Sequence, residues 1–180
     1  MTCPNPLDWG TLVDYWAGDL DAAASDAVEE HLFGCPDCTT AAARVAAVTE
    51  ALRAALPPVV SRERVEQLRA RGARVRENDF LPGDRREAVF LRDADLLIHR
   101  LGGLDLTHAD RVDFSIAAES TGELIAAVDR VPFDPAEGAV LVACQRHYAS
   151  FPADTVISLA IHTPTAPPRT ATYTILHRFE

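Results

Sequence analysis

Two hydrophobic periodicities divide the chain. Up to about residue 77, apolar residues recur at intervals of three and four; from residue 87 they tend to alternate. Asn5-Pro6 resembles an N-cap followed by proline at the first helical position, and Trp9, Leu12, Val13 and Trp16 then repeat at helical spacing until Gly18. A second helix is predicted after Asp21, through AAASDAVEEHLFG. It places Ala24, Ala27, Val28, His31 and Cys35 on one face, with Gly34 suited to ending it. Pro36 fits the first position of a third helix, whose stripe runs Cys38, Ala42, Val45, Thr49, Leu52, Leu56 before Pro57-Pro58 stops it. SRERVEQLRARGARVRE predicts a fourth helix, in which Val65, Leu68, Gly72 and Val75 form a thin seam among six arginines. So narrow a stripe suits a helix lying on another surface, the alternative being a solvated linker helix.

The turn-rich, charged segment NDFLPGDRRE precedes a change of pattern. AVFLR, DLLIHRL, RVDFSIAAE, GELIAAVDRVPF, AVLVACQRHY, DTVISLAIH and ATYTILHRF are rich in β-branched residues and are separated by Gly, Pro, Asp and Thr clusters. Strands at this spacing predict an antiparallel β-sandwich, immunoglobulin-like or jelly-roll-like. The expected fold class is therefore α+β multidomain: a small helical bundle of three helices plus a detached fourth over residues 1–78, a linker over 79–86 and a β-sandwich over 87–180.

Composition narrows the function classes. The chain has 180 residues, 48% of them hydrophobic, enough to bury a core. No run approaches the roughly 18 to 20 apolar residues that cross a bilayer, and no basic-then-apolar leader is visible, so the expected location is the cytoplasm. Of the formal charge of −10, residues 1–56 carry nine acidic against two basic groups, and lysine is absent. An acidic module is repelled by phosphates, which disfavours direct nucleic-acid binding and favours a basic protein partner.

Chemistry is concentrated in HLFGCPDC, a His-x3-Cys-x2-Cys array. His31 and Cys35 are four apart across a helix end, and Cys-x2-Cys is a spacing at which a turn brings two sulfurs onto one tetrahedral ion. Cys38 falls in the first turn of the third helix, where the dipole favours a thiolate. In a reducing compartment the pattern points to zinc rather than to a disulfide framework.

LVDYWAGDL followed at fixed spacing by HLFGCPDC, then an Ala-rich third helix and a detached fourth, resembles the zinc-containing anti-sigma factor family over roughly residues 5–78. The resemblance implies a cytoplasmic inhibitor of an alternative, extracytoplasmic-function type sigma factor. In that family the zinc bundle and fourth helix wedge between the sigma factor's DNA-reading domains, which would make Val65, Leu68 and Val75 partner-binding residues. The family's first ligand lies about 26 residues before the motif histidine, a position held here by Asn5, whereas Cys3 lies 28 before it. Cys3 is the expected fourth ligand of Zn2+, beside His31, Cys35 and Cys38, since a flexible terminus absorbs two residues. Zinc then acts as a structural staple or, with Cys3 able to pair with Cys35 or Cys38, as a redox switch.

The remaining candidates predict less. His99, His147, His162 and His177 share no ligand-like spacing, so no second metal site is expected, and Cys144 reads as a small core residue. A zinc hydrolase using Glu29 or Glu30, and an adaptor for some other protein, are the alternatives. With no nucleotide-binding loop, nucleophile elbow or His-Glu-x-x-His pair, the chain is not expected to be an enzyme.

Overall fold

A computed structural model describes residues 3–55, 59–146, 148 and 152–180, with the backbone alone for 52–55. Leu56, Pro57-Pro58 and His147 lie outside the described residues, as does the side chain of Leu52. The chain divides into two compact units, 1–55 and 56–180.

The first unit holds α1 (Trp9–Ala17), α2 (Ala22–Gly34) and α3 (Pro36–Ala55). Helix α1 starts later than Asn5-Pro6 suggested. Asp8 caps it, its carboxylate accepting the Thr11 N–H at 3.0 Å, and Gly18 closes it at φ +74°. Asp21 caps α2 in the same way, accepting the Ala24 N–H at 2.8 Å. The core is small: Leu12, Ala42 and Val45 are buried, with Leu7, Leu32 and Ala41 packed against them. Trp9, Val13 and Trp16, read from sequence on the same periodic stripe as Leu12, lie outside that core, 56%, 38% and 39% exposed.

The second unit contains β1 (Val59–Val60), α4 (Arg62–Ala70) and strands β2 (Val75–Phe80), β3 (Arg85–Phe90), β4 (Leu96–Leu101), β5 (Arg111–Ala118), β6 (Leu124–Val128), β7 (Val140–Cys144), β8 (Asp154–Thr163) and β9 (Ala166–Phe179). They form two sheets, ordered β1-β7-β4-β2 and β3-β9-β8-β5-β6. Most pairings are antiparallel, but β2 runs parallel to β4, and β3 parallel to β9, so the sheets are mixed rather than wholly antiparallel. Phe80, Leu97, Leu101 and Val142 of the first sheet share one core with Phe114, Ile157, Tyr173 and Ile175 of the second.

Helix α4 is not detached. It covers the other face of the first sheet, where Val65 is fully buried among Leu96, Ile98, Leu141 and Ala143, with Leu68 and Val75 packed alongside. That third layer explains why β4 and β7 read as continuous apolar runs rather than alternating ones: both of their faces are covered. The helix also ends before the predicted Glu77. Gly72 turns the chain at φ +90°, the Ala73 N–H reaches back to the Leu68 carbonyl at 3.0 Å, and residues 75–80 become strand. Arg62 and Arg69 both bind the Glu77 carboxylate on β2, so this arginine-rich helix is anchored by its charges too. The unit boundary therefore falls after Ala55, and the segment expected as a linker, 79–86, contains the end of β2 and the start of β3.

Candidate metal centre

Three local structures bring the HLFGCPDC side chains and Cys3 together. His31 projects from the last turn of α2, Cys35 is its extended C-cap residue at φ −125° and ψ 102°, and Cys38 sits in the first turn of α3. The α2–α3 corner is fixed by Thr39, whose hydroxyl donates to the carbonyls of Leu32 and Cys35 at 2.7 and 2.9 Å. Cys3 arrives from the chain start, its backbone N–H donating to Asp37 at 3.3 Å.

The four donor atoms all lie within 4.8 Å of one another. His31 Nε2 is 3.2 Å from Cys38 Sγ and 3.6 Å from Cys3 Sγ. Cys38 is buried, and Cys3, His31 and Cys35 are half-buried. Partial burial and hydrogen bonding from neighbouring sulfurs push the Cys3 thiol up to about 11. Cys35 moves the other way: the Cys38 backbone N–H, at the start of α3, holds it below the ordinary thiol range. The helix start thus favours a thiolate where the array needs one. Three sulfurs and one imidazole nitrogen at this separation are the donor set of a closed structural zinc site, and these residues fit that ion. Glu29, one of the two carboxylates of the hydrolase alternative, accepts from the Tyr15 hydroxyl at 3.2 Å.

The residues expected to meet a partner stand differently. Val65, Leu68 and Val75 pack on the chain's own first sheet, because the seam that looked too thin to stand alone has Leu96, Ile98, Leu141 and Ala143 beneath it. The exposed apolar stripe lies on α1 instead, as Trp9, Val13 and Trp16, three to four residues apart on one helix face.

A second cluster was not expected from sequence. His99 and His177, 78 residues apart, approach with their Nε2 atoms 3.0 Å from each other. Cys144 completes a group whose ligand atoms lie within 4.8 Å. Burial holds His99 well below the ordinary histidine range, with His177 adding to the effect, and burial likewise lowers His177. Burial also pushes the Cys144 thiol up to about 12. The cluster joins two sheets, so no local spacing could announce it. The hint in the sequence was slight: each histidine follows two apolar residues of a strand, in LLIH and TILH. His162 is placed elsewhere, its Nε2 2.8 Å from Asp113.

Helix order, caps and donor set define the first unit as a helical zinc-finger-type metal module. Residues 11–39 match the family model described as "Putative zinc-finger", the domain found in zinc-containing anti-sigma factors. No curated protein matches the chain. Among solved structures it is similar to the N-terminal domain of phage TP901-1 ORF48, at 10% identity over 56% of this chain and 97% of that one, with a TM-score of 0.35. So distant a likeness has no bearing on function. Among the described residues no helix is long and apolar enough to cross a membrane.

Proposed function

We infer that the chain is a cytoplasmic anti-sigma factor, whose helical module binds an alternative sigma factor of the extracytoplasmic-function type and keeps it from initiating transcription. The observation that carries this reading is the four-donor cluster of Cys3, His31, Cys35 and Cys38, built on the zinc-finger match over residues 11–39.

Two further features support it. Trp9, Val13 and Trp16 give α1 an exposed apolar face of the composition that anchors protein interfaces. The unit carrying that face is acidic, and a sigma factor's nucleic-acid-binding surfaces are basic, so the two complement each other in charge. Zinc serves here as the staple of a module whose core is too small to hold three helices unaided. With four protein donors the site keeps no open position for a substrate, so the reading is of a binding protein and not of an enzyme. In this reading Val65, Leu68 and Val75 join the contact only in a conformation in which α4 has left its sheet.

Co-expression with a candidate sigma factor, followed by purification through a tag on one partner, tests the proposal. Co-elution at physiological salt, together with loss of transcription by polymerase carrying that sigma factor, is the expected result. A chain that elutes alone from every sigma factor of its source would sink the reading.

A further inference from the structure

We propose that His99, Cys144 and His177 form a second metal site, enclosed between the two sheets of the second unit, and that the ion it takes is Cu(I).

The three donors come from facing surfaces. On β4, His99 shares the inward face with Leu97 and Leu101; on the adjacent β7, Cys144 shares it with Val140 and Val142. His99 is paired in register with Val142, which makes Cys144 its diagonal neighbour. His177 comes from β9 of the opposite sheet, two residues beyond Ile175 and on the same face. The three line one cavity of about 30 Å³, room for a single ion or water, whose walls also include Ile116, Ile157 and Phe179.

The polar groups here have unmet needs. His99 is 1% exposed, and its Nδ1 has no hydrogen-bond partner among the described residues. Its other nitrogen lies 3.0 Å from His177 Nε2, and Thr155 Oγ1, also on the cavity wall, is unpartnered too among the described residues. A buried polar atom without a partner costs roughly 1–3 kcal/mol, and Thr155 Oγ1 on the wall marks the cavity as a place for an occupant that the described protein atoms do not provide; His99 Nδ1, on the far side of its ring from His177, is not met by an ion at Nε2. His177 is oriented for that occupant. Its Nδ1 lies 3.3 Å from the Ala153 carbonyl, so a proton held there leaves the Nε2 lone pair pointing at His99 and Cys144. Two imidazole nitrogens bound to one three-coordinate ion sit about 3.5 Å apart, so the 3.0 Å found needs to open by only about half an ångström.

Charge selects the ion. Among the described residues no carboxylate lines the cavity, Asp154 acting on His177 only from beyond it, so the anion offered among the three donors is the Cys144 thiolate. Binding forms one Cu–S bond and two Cu–N bonds and releases the thiol proton to solvent. Cu(I) plus one thiolate is neutral, whereas Zn2+ would leave a net positive charge among apolar side chains, with the desolvation cost that entails. Cu(I) is also soft enough for sulfur and is satisfied by three donors. The helical site differs in each respect, being half-exposed and supplied with three sulfurs.

Metal counting on the full chain decides the matter. Wild type, His177→Gln and Cys144→Ala proteins are equilibrated anaerobically with Cu(I) held by a competing chelator, and separately with Zn2+, and metal per chain is measured by mass spectrometry. Whatever the helical cluster takes up is common to all three proteins and cancels. Wild type is expected to hold one more copper than either variant, with no such difference for zinc. Equal copper in all three proteins overturns the site and leaves His99 and His177 as a hydrogen-bonded core pair. An extra equivalent seen with zinc and not with copper overturns the choice of ion. Should His177→Gln fail to fold, Cys144→Ala still carries the comparison, since alanine is an accepted small residue within a buried strand.

Discussion

Cys3 Sγ lies 3.6 Å from His31 Nε2, although 28 residues separate them, and the Cys3 N–H is held by Asp37 at 3.3 Å. Residues 3–8 precede α1, which begins only at Trp9 behind its Asp8 cap. Replacing Cys3 should therefore weaken metal binding without abolishing it. A structural zinc site of four ligands is worth about 10–16 kcal/mol, so losing one donor costs on the order of 3 kcal/mol, or roughly 100-fold in affinity. Competition with a zinc chelator on Cys3→Ser protein measures this. Unchanged affinity would show that Cys3 is not a ligand.

Metal removal should separate the two units. Among the described side chains of residues 3–55 the buried cluster is just Leu12, Ala42 and Val45, with Val28 and Cys38 also buried, whereas the second unit has a large core of its own. A strong chelator is expected to remove the helical circular-dichroism signal of α1–α3 and to leave the β signal of the second unit unchanged. Readdition of zinc should restore the helices. If helix content survives chelation, the site is not the staple of the module.

Val65→Ala tests where α4 belongs. The side chain is fully buried beneath Leu96, Ile98, Leu141 and Ala143, so truncation should lower the stability of the second unit by about 2 kcal/mol while leaving zinc affinity untouched. A change in zinc affinity instead of in β-unit stability would place α4 with the helical module. Urea unfolding followed through the β signal, paired with zinc titration, reads both quantities.

What the sequence reveals and what it conceals follow from the range of the interactions involved. The caps at Asp21 and Gly18, the α2–α3 corner and the His-x3-Cys-x2-Cys array are set by neighbours within a few residues, and all are readable from the chain. Strands β3 to β9 are readable for the same reason, through alternation or, in β4 and β7, short apolar runs, bounded by turn residues. The role of α4 is not, because its seam is completed by Ile98 and Leu141, far along the chain. Nor is β2, whose residues Val75–Phe80 continue an arginine-rich helical pattern and pair in parallel with β4, a partner no hairpin turn announces. His99 and His177 meet across two sheets, and sheet packing, rather than spacing, puts them 3.0 Å apart.

Acid should loosen the start of the β2–β4 pair. Asp95 accepts from Arg74 through its backbone N–H at 2.9 Å, its Nε at 3.1 Å and its Nη2 at 2.7 Å, immediately before Val75 and Leu96 come into register. The Arg74 side-chain and backbone bonds lower the Asp95 carboxyl to about 2. A depressed folded-state value means that the unfolded chain takes up the proton first. The stabilisation is therefore whole above the ordinary carboxylate value of about 4 and is lost as pH falls through about 2. The urea midpoint of Asp95→Asn protein should accordingly fall less than that of wild type between those limits. Parallel curves would mean that Asp95 does not contribute.

The partner surface is open to the most direct test. Trp9, Val13 and Trp16 flank Leu12 on the same stripe of α1 but stay exposed outside the buried cluster, so shortening the tryptophans removes mainly exposed apolar area and leaves Leu12 in place. Trp9→Ala and Trp16→Ala proteins should keep their zinc and helix content. If α1 anchors the sigma factor, each should weaken its binding by at least about 30-fold, the loss expected for a tryptophan at the centre of an interface. Calorimetric titration of the sigma factor into the two variants and into Phe33→Ala measures the difference, with Phe33, 95% exposed at the end of α2, marking how far the contact extends toward the metal. Full affinity in both tryptophan variants would move the contact off α1. Equal loss in all three would extend it along the module toward Cys35, where expulsion of the metal would bear directly on release of the partner.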